Sequence, residues 1–310
     1  MPETNQRHYT STRPRGLASW RPQRRTRLLL EQVDNVLAEY ATHLPLTCRQ
    51  IFYRLVGASG YPKDEKAYTR LLEALNRARR AGLVPFDGIR DDGATVRAPN
   101  GFDGKAHFLA AVENAAESYR RERQEGQPCV LEIWVEAGGM VPQVARVAHE
   151  YSAAVYSSGG FDSLTAKHDA AQRILTRSRP TVVLHLGDFD PSGLAVFDSA
   201  ADDVRVMVRD LGGLTSPVFR RVAVTPEQIS HYALHSAPPK KTDKRGNWVG
   251  GTVQAEALSP ADLAREIRAA IEAELDPPAR RLVLALEANE RRQLIHTVRR
   301  LRGELGEGAR

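Results

Sequence analysis

The chain has 310 residues, of which 42% are hydrophobic and 26% are charged, a composition typical of a folded globular protein. No apolar run approaches the roughly 18 residues that span a membrane, and the opening stretch MPETNQRHYTSTRPRG lacks the apolar core of a secretory signal. Cys48 and Cys129 are too few for a disulfide framework or a cysteine-rich zinc site. We therefore expect no membrane partner and a reducing, cytoplasmic setting.

The positive charge is concentrated at the N-terminus. The net charge is +6, and residues 1–27 hold seven arginines against the single acid Glu3. This difference equals the net charge of the whole chain, and residues 1–19 are predicted to form a flexible basic arm. A basic arm on a near-neutral body suits a polyanion such as double-stranded DNA. A solvated tail without a partner explains the same charges equally well.

Residues 20–95 have the pattern of three helices followed by a short extended segment. The first helix, at about 22–41, has apolar residues at helical spacing. Thr47 is placed to cap the second helix and Asp64 to cap the third. An extended piece and the turn DDG follow. This order predicts a winged helix-turn-helix domain.

The rest of the chain changes to an alternating pattern. Residues 96–127 read as a connector with one helix at about 106–124, and residues 276–310 as a long C-terminal helix. Between them, in 128–275, predicted helices alternate with four predicted strands at 130–136, 153–158, 182–186 and 219–224. Such alternation predicts an α/β fold with a mainly parallel, Rossmann-like sheet.

Three acids follow predicted strands of this sheet. Glu136 ends the first strand, and Asp188 and Asp190 follow the third in the stretch VVLHLGDFDPSG. Functional groups of parallel sheets collect at the carboxyl ends of the strands. Carboxylate oxygens are ligands that Mg²⁺ prefers, so these acids are a candidate magnesium site. The alternative is that the two aspartates only cap the helix that follows.

The order of a strand-ending Glu and a later GDFDPSG turn resembles a Toprim domain. Over residues 20–275 the chain is most similar to the A subunit of type IIB topoisomerases and the related meiotic double-strand-break proteins, including small bacterial or mobile-element members. The resemblance implies Mg²⁺-dependent cleavage of double-stranded DNA by a homodimer. The family's lysine after the Toprim Glu is replaced here by Ala137. The chain has no ATPase loop signature, so ATP-driven strand passage implies a separate ATPase subunit.

The same resemblance implies a nucleophilic tyrosine in the winged-helix domain. The stretch TCRQIFYRLV resembles the family's tyrosine region and offers Tyr53, with Arg49 four residues before it on the same side of a helix. A guanidinium binds phosphate and favours a phenolate, which suits phosphoryl transfer. The alternative is that Tyr53 is a packing residue.

Further basic side chains are predicted to contact the DNA backbone, where such contacts position a protein without reading bases. These are Arg77, Arg79, Arg80, Arg90, Lys240 and Lys241.

Three hypotheses follow for the function. The first is a nucleoid-associated DNA transesterase that becomes linked to a 5′ phosphate through Tyr53. The second is a Toprim nuclease that hydrolyses DNA with metal-activated water. The third is a DNA-binding regulator without catalysis.

Overall fold

A computed structural model describes residues 19–90, 101–158, 164–238 and 250–307. The chain divides into two compact units, residues 1–91 and residues 92–310. Most of the predicted basic arm, the DDG turn, Lys240 and Lys241 lie outside the described residues. Within the described ranges, none of the helices combines the length and apolar character needed to cross a membrane.

The described residues of the first unit form three α-helices and two very short strands. In chain order they are α1 (Arg24–Glu39), β1 (Leu46–Thr47), α2 (Cys48–Ser59), α3 (Glu65–Arg80) and β2 (Ile89–Arg90). The apolar positions of α1, α2 and α3 face inward, and Val33, Ile51 and Leu71 are among the fully buried side chains. The predicted order of three helices is confirmed.

Local hydrogen bonds explain where these helices begin. The Thr47 hydroxyl accepts from the Gln50 N–H at 3.1 Å, while the Gln50 side chain accepts from the Thr47 N–H at 2.9 Å. The Asp64 carboxylate accepts from the Ala67 N–H at 2.7 Å. Both predicted caps are confirmed, and each is worth about 1 kcal/mol. Gly60 ends α2 in the left-handed conformation, with φ of +62°.

The β-wing of the predicted winged helix is not established by the described residues. β1 and β2 pair in parallel over two residues, Leu46 with Ile89 and Thr47 with Arg90. The pairing is parallel because α2 and α3 carry the chain back to the starting side between the strands. A wing hairpin would need the residues after Arg90, which are not described.

The second unit is an α/β structure with a parallel sheet. Its strands are β3 (Val130–Val135), β4 (Ala154–Ser157), β5 (Thr181–Leu186) and β6 (Val218–Ala223), in the spatial order β4-β3-β5-β6. Its helices are α4 (Lys105–Glu117), α5 (Val141–Ala148), α6 (Leu164–Leu175), α7 (Pro191–Asp210), α8 (Pro226–His231), α9 (Pro260–Glu272) and α10 (Pro277–Glu307). Every strand pair is parallel, which confirms the predicted α/β class and parallel sheet.

The core of this unit lies between the central strands and the helices α6 and α7. Trp134 and Val183 of the sheet pack with Ala170, Ala200 and Val204 of these helices. β5 is buried along its whole length and β3 over all but its first residue. Strands covered on both faces read as largely apolar runs, here interrupted by Glu132 and His185, and this pattern made both strands visible in the sequence.

The connector helix was predicted too long. α4 ends at Glu117 instead of about 124, and the charged residues after it include Arg121 and Arg123, which contact α10. The Glu287 carboxylate of α10 accepts from Arg123 at 2.8 and 2.6 Å and from the Arg121 N–H at 3.2 Å. Hydrogen bonds from Arg123 are the main reason that the pKa of Glu287 is lowered to about 2.

Candidate functional site

The register of the sheet places two acidic segments at one edge. β3 and β5 pair directly, and Val135 lies opposite Leu186 at their carboxyl ends. The Glu136 N–H continues this ladder by donating to the Leu186 carbonyl at 2.8 Å. Glu136 and the Gly187–Asp188 turn therefore leave the sheet side by side, as residues at the carboxyl ends of adjacent parallel strands do.

The structure brings Glu136, Asp188 and Asp190 together at this turn. The Asp188 N–H donates to Glu136 Oε2 at 3.0 Å. A Cβ at Gly193 would lie 3.1 Å from Glu136 Oε2 and 3.4 Å from Asp190 Oδ1, so these two oxygens border the same small space. Gly193 keeps that space open for the carboxylates.

Each of the three carboxylates also binds a backbone N–H. Glu136 accepts from Asp188, Asp190 accepts from the Gly193 N–H at 2.7 Å, and Asp188 accepts from the Ala255 N–H at 2.9 Å. Asp190 is thus the N-cap of α7, as the capping alternative predicts.

The donor set fits magnesium in chemistry, since all three groups offer hard oxygen ligands at one turn. Among the described residues, however, no group of three or more His, Cys, Asp or Glu side chains is arranged as a metal cage.

Arg221 of β6 lies beside the acidic turn and was not anticipated as part of it. Its guanidinium donates to the carbonyls of Gly187, at 2.8 Å, and Asp188, and its Nε donates to the Val224 carbonyl at 2.9 Å. Burial lowers the pKa of Arg221, while Glu136 and Asp188 oppose that shift. The guanidinium braces the backbone of the turn and supplies positive charge near three acids.

His185 supports the turn from the interior of β5. It is 2% exposed, its ring stacks on Phe197 with centroids 3.9 Å apart, and its Nδ1 has no hydrogen-bond partner among the described residues. Burial, with the charge of Arg221, lowers its pKa to about 3, so the ring is neutral at ordinary pH. His185 could have been recognised from the sequence, because it is a polar residue inside the apolar run VVLHL.

Replacing Glu136 by glutamine should stabilise the second unit at neutral pH by on the order of 1 kcal/mol. Burial and the charges of Asp188 and Asp190 raise the pKa of Glu136, so its ionised form is disfavoured in the folded state. A carboxyl group whose pKa is raised by folding contributes its full stability at pH values below its pKa in the unfolded chain. That contribution is lost as the pH rises through its pKa in the folded protein. In urea unfolding, Glu136→Gln should therefore have a higher free energy of unfolding than the wild type at neutral pH, and this difference should shrink in acid.

The control for this prediction is Glu304→Gln, which removes the same charge from a side chain that is 62% exposed on α10. We expect this variant to have a free energy of unfolding within about 0.5 kcal/mol of that of the wild type at every pH. A Glu136→Gln gain that persists unchanged in acid would contradict the prediction.

Tyr53 lies on α2 in the first unit and is 8% exposed. Its ring meets Phe52 edge to face, with centroids 5.5 Å apart. The ammonium of Lys63 lies 5.5 Å from the centre of the Tyr53 ring, and burial lowers the pKa of this lysine. The sequence does not indicate Lys63, because its position beside Tyr53 depends on the turn at Gly60. After this turn the chain runs back along α2, and the Tyr61 N–H donates to the Leu55 carbonyl at 3.1 Å.

Arg49 contacts a different tyrosine. Its guanidinium lies 5.7 Å from the centre of the Tyr68 ring, which the sequence analysis did not single out. The edge-to-face contact of Tyr68 with Phe52, with centroids 5.2 Å apart, joins Arg49 to the aromatic cluster that includes Tyr53.

Two of the arginines predicted to contact DNA stabilise their own unit. Arg79 donates to the carbonyls of Phe86 and Ile89, both at 3.4 Å, and stacks on the Phe86 ring. Arg90 donates to the Pro45 carbonyl at 3.1 Å. Arg80 binds the side chain of Asn76 at 3.0 Å on the surface of α3, and Arg77 lines a groove described below.

Comparison with known proteins adds no relative, since no family model, curated protein or solved structure matches the chain.

Proposed function

We propose that the chain is a Mg²⁺-dependent DNA-cleaving transesterase of the Toprim type, resembling the A subunit of type IIB topoisomerases. The observation that carries the proposal is the meeting of Glu136, Asp188 and Asp190 at the carboxyl edge of a parallel sheet. The order of these acids along the chain, with the D-x-D-P-x-G turn, supports the Toprim assignment. The basic N-terminal arm supports DNA as the partner.

In this proposal Tyr53 is the nucleophile. Its Oη attacks a backbone phosphorus, the phenol loses its proton, and the bond from phosphorus to the 3′ oxygen breaks. The products are a 5′-phosphotyrosyl link and a 3′ hydroxyl, and the reverse reaction reseals the strand. The Lys63 ammonium lies over the Tyr53 ring, and Arg49 is placed in the same aromatic cluster to bind phosphate.

The acidic turn would hold the metal. Glu136, Asp188 and Asp190 are the residues that would bind Mg²⁺, which supplies Lewis-acid stabilisation of the phosphate when bound. Arg221 keeps the Gly187–Asp188 backbone in place for these side chains. The family resemblance implies a homodimer in which the tyrosine of one chain serves the metal site of the other, with a separate ATPase subunit for strand passage.

A Toprim nuclease is the second candidate, and the burial of Tyr53 favours it. Only 8% of the surface of Tyr53 is exposed, which leaves little of this side chain for contact with a phosphate. A nuclease with metal-activated water would use the acidic turn alone.

The test is cleavage of supercoiled plasmid by the full chain with Mg²⁺, stopped with detergent and divided into samples with and without protease. Transesterification predicts DNA that is retained by protein before digestion and released as cut DNA after it. Tyr53→Phe should lower this product by at least about 1000-fold. Tyr40→Phe is the matched control, since Tyr40 is also 8% exposed in the same unit.

The other outcomes separate the hypotheses. Cleavage that survives Tyr53→Phe but is lost in Asp188→Asn with Asp190→Asn identifies the nuclease. DNA binding without cleavage in any divalent metal identifies the regulator and overturns both enzyme proposals.

A further inference from the structure

The first unit contains a groove of about 400 Å³ between α1, α3 and residues 59–62. We call it the α1–α3 groove, and its wall includes Trp20, Arg25, Leu29, Tyr61, Arg70 and Arg77. Its volume falls in the range of sites that bind small organic ligands.

Helical spacing explains why both helices line the groove. Arg25, Leu29 and Gln32 lie about one and two turns apart on α1. Arg70, Ala74 and Arg77 repeat that spacing on α3. The lining therefore combines apolar side chains with guanidinium groups.

The groove is positively charged. It contains Arg25, Arg70 and Arg77 against the single acid Glu73. Within the part of the chain that the structure describes, none of these three guanidinium groups makes a hydrogen bond or an ion pair. Arg79 and Arg90, by contrast, bind backbone carbonyls of their own unit. The groove therefore holds cationic donors that the fold itself does not use.

Two aromatic side chains lie in the same groove. Trp20 and Tyr61 are both half-buried. The Tyr61 hydroxyl donates to the Ala67 carbonyl at 3.0 Å, which fixes the position of the ring. Burial raises the pKa of the Tyr61 hydroxyl, and the positive charges of Arg70 and Arg25, which line the same groove, oppose that shift.

We propose that the α1–α3 groove binds a nucleotide unit, with its base against the aromatic and aliphatic side chains and its phosphate on the arginines. Bases stack on aromatic side chains whatever their sequence, and arginine binds phosphate with paired hydrogen bonds. A free phosphate would not contact the apolar part of the lining, and an uncharged apolar ligand would not use the arginines. In DNA the natural source of such a unit is an unstacked nucleotide of a single strand. This site is separate from the cleavage chemistry and needs neither Tyr53 nor a metal.

The experiment measures binding of a fluorescently labelled six-nucleotide single strand to the full chain in EDTA, by anisotropy. Removing two phosphate-binding guanidinium groups in Arg70→Ala with Arg77→Ala should weaken binding roughly 100-fold. The matched control, Arg24→Ala with Arg27→Ala, removes the same charge from exposed positions of α1 that do not line the groove. It should weaken binding only about threefold, through the loss of non-specific attraction.

Competition identifies the ligand chemistry. Deoxyadenosine monophosphate should displace the strand, and inorganic phosphate at equal ionic strength should not. Trp20→Ala should weaken binding about tenfold by removing a stacking surface, and it gives an independent test if the arginine variant does not fold.

Three results would overturn the proposal: equal losses in both double variants, displacement by inorganic phosphate as effective as by the nucleotide, or tighter binding of an acidic, tyrosine-containing peptide than of the strand. Because no cleavage is measured, a failure here leaves the transesterase proposal untouched, and a failure of cleavage leaves this site untouched.

Discussion

Replacing Glu132 by glutamine should lower the free energy of unfolding of the second unit by about 3–5 kcal/mol. Glu132 lies in β3 with 0% of its surface exposed. Its carboxylate accepts from Arg177 at 2.6 Å, from Arg173 at 3.1 and 3.2 Å, and from the Trp134 indole at 2.7 Å. Removing the negative charge leaves two guanidinium groups, which are mostly buried, without their counterion.

The pH dependence of this loss follows from the pKa of Glu132. Burial alone would raise it, but the hydrogen bonds and charges of Arg173 and Arg177 outweigh burial, so the pKa is lowered. The stabilisation by Glu132 is therefore present above the unfolded pKa and is lost as pH falls through the folded pKa. In urea unfolding, the difference between wild type and Glu132→Gln should be largest at neutral pH and should shrink in acid.

Asp202→Asn is the control, because Asp202 forms an exposed pair with Arg205 at 2.8 Å in the same unit. Surface pairs of this kind contribute about 0–1 kcal/mol. Adding Arg177→Met to Glu132→Gln should recover part of the loss by removing one unpaired cation. If Glu132→Gln costs no more than Asp202→Asn, the buried triad is not a major source of stability.

Replacing Gly187 by alanine should displace the Glu136 carboxylate and cost about 1–3 kcal/mol of stability. The added Cβ would lie 2.5 Å from Glu136 Oε2 and 2.6 Å from the His185 ring. The ring cannot yield because it is stacked on Phe197. The backbone is also held, since the Gly187 N–H donates to the Ala223 carbonyl at 2.8 Å. The carboxylate is therefore the group that must move.

Gly138→Ala is the local control, because its Cβ would meet only the Ser157 hydroxyl at an ordinary 3.5 Å. It should leave stability within about 0.5 kcal/mol. In the plasmid assay we expect Gly187→Ala to lose at least about 100-fold in cleavage, since a displacement near 1 Å is enough to misplace a reacting group. Full cleavage by Gly187→Ala would show that the Glu136 carboxylate is not needed where the structure places it.

The parts of the fold that were predictable depend on local patterns. Thr47 and Asp64 were recognisable as caps because a capping side chain binds a backbone N–H only a few residues away. The central strands were recognisable because burial on both faces favours a largely apolar run, even with Glu132 and His185 within it. The end of α4 was predicted wrongly because Arg123, one of the charged residues that follow this helix, binds Glu287, which lies more than 160 residues later in the sequence.

The residues of the candidate site likewise divide into those that a local sequence pattern indicates and those that depend on distant contacts. Glu136, Asp188 and Asp190 were named from the sequence because strand ends and a D-x-D turn are local signals. Arg221 and Lys63 were not, because their roles depend on which strand lies beside β5 and on how the chain turns after α2. Pairing of distant segments has no periodic signature within either segment, so a single sequence carries little information about it.

The position of Asp190 at the start of α7 affects how strongly charged ligands would bind at the acidic turn. It caps the first turn of α7, a helix of 20 residues, so its carboxylate lies at the positive end of the helix dipole. A divalent ion held there would be repelled by that dipole, whereas a phosphate oxygen next to the ion would be attracted to it. If the acidic turn binds Mg²⁺ as proposed, we therefore expect the dipole to weaken the binding of the ion alone and a phosphate oxygen beside the ion to strengthen it.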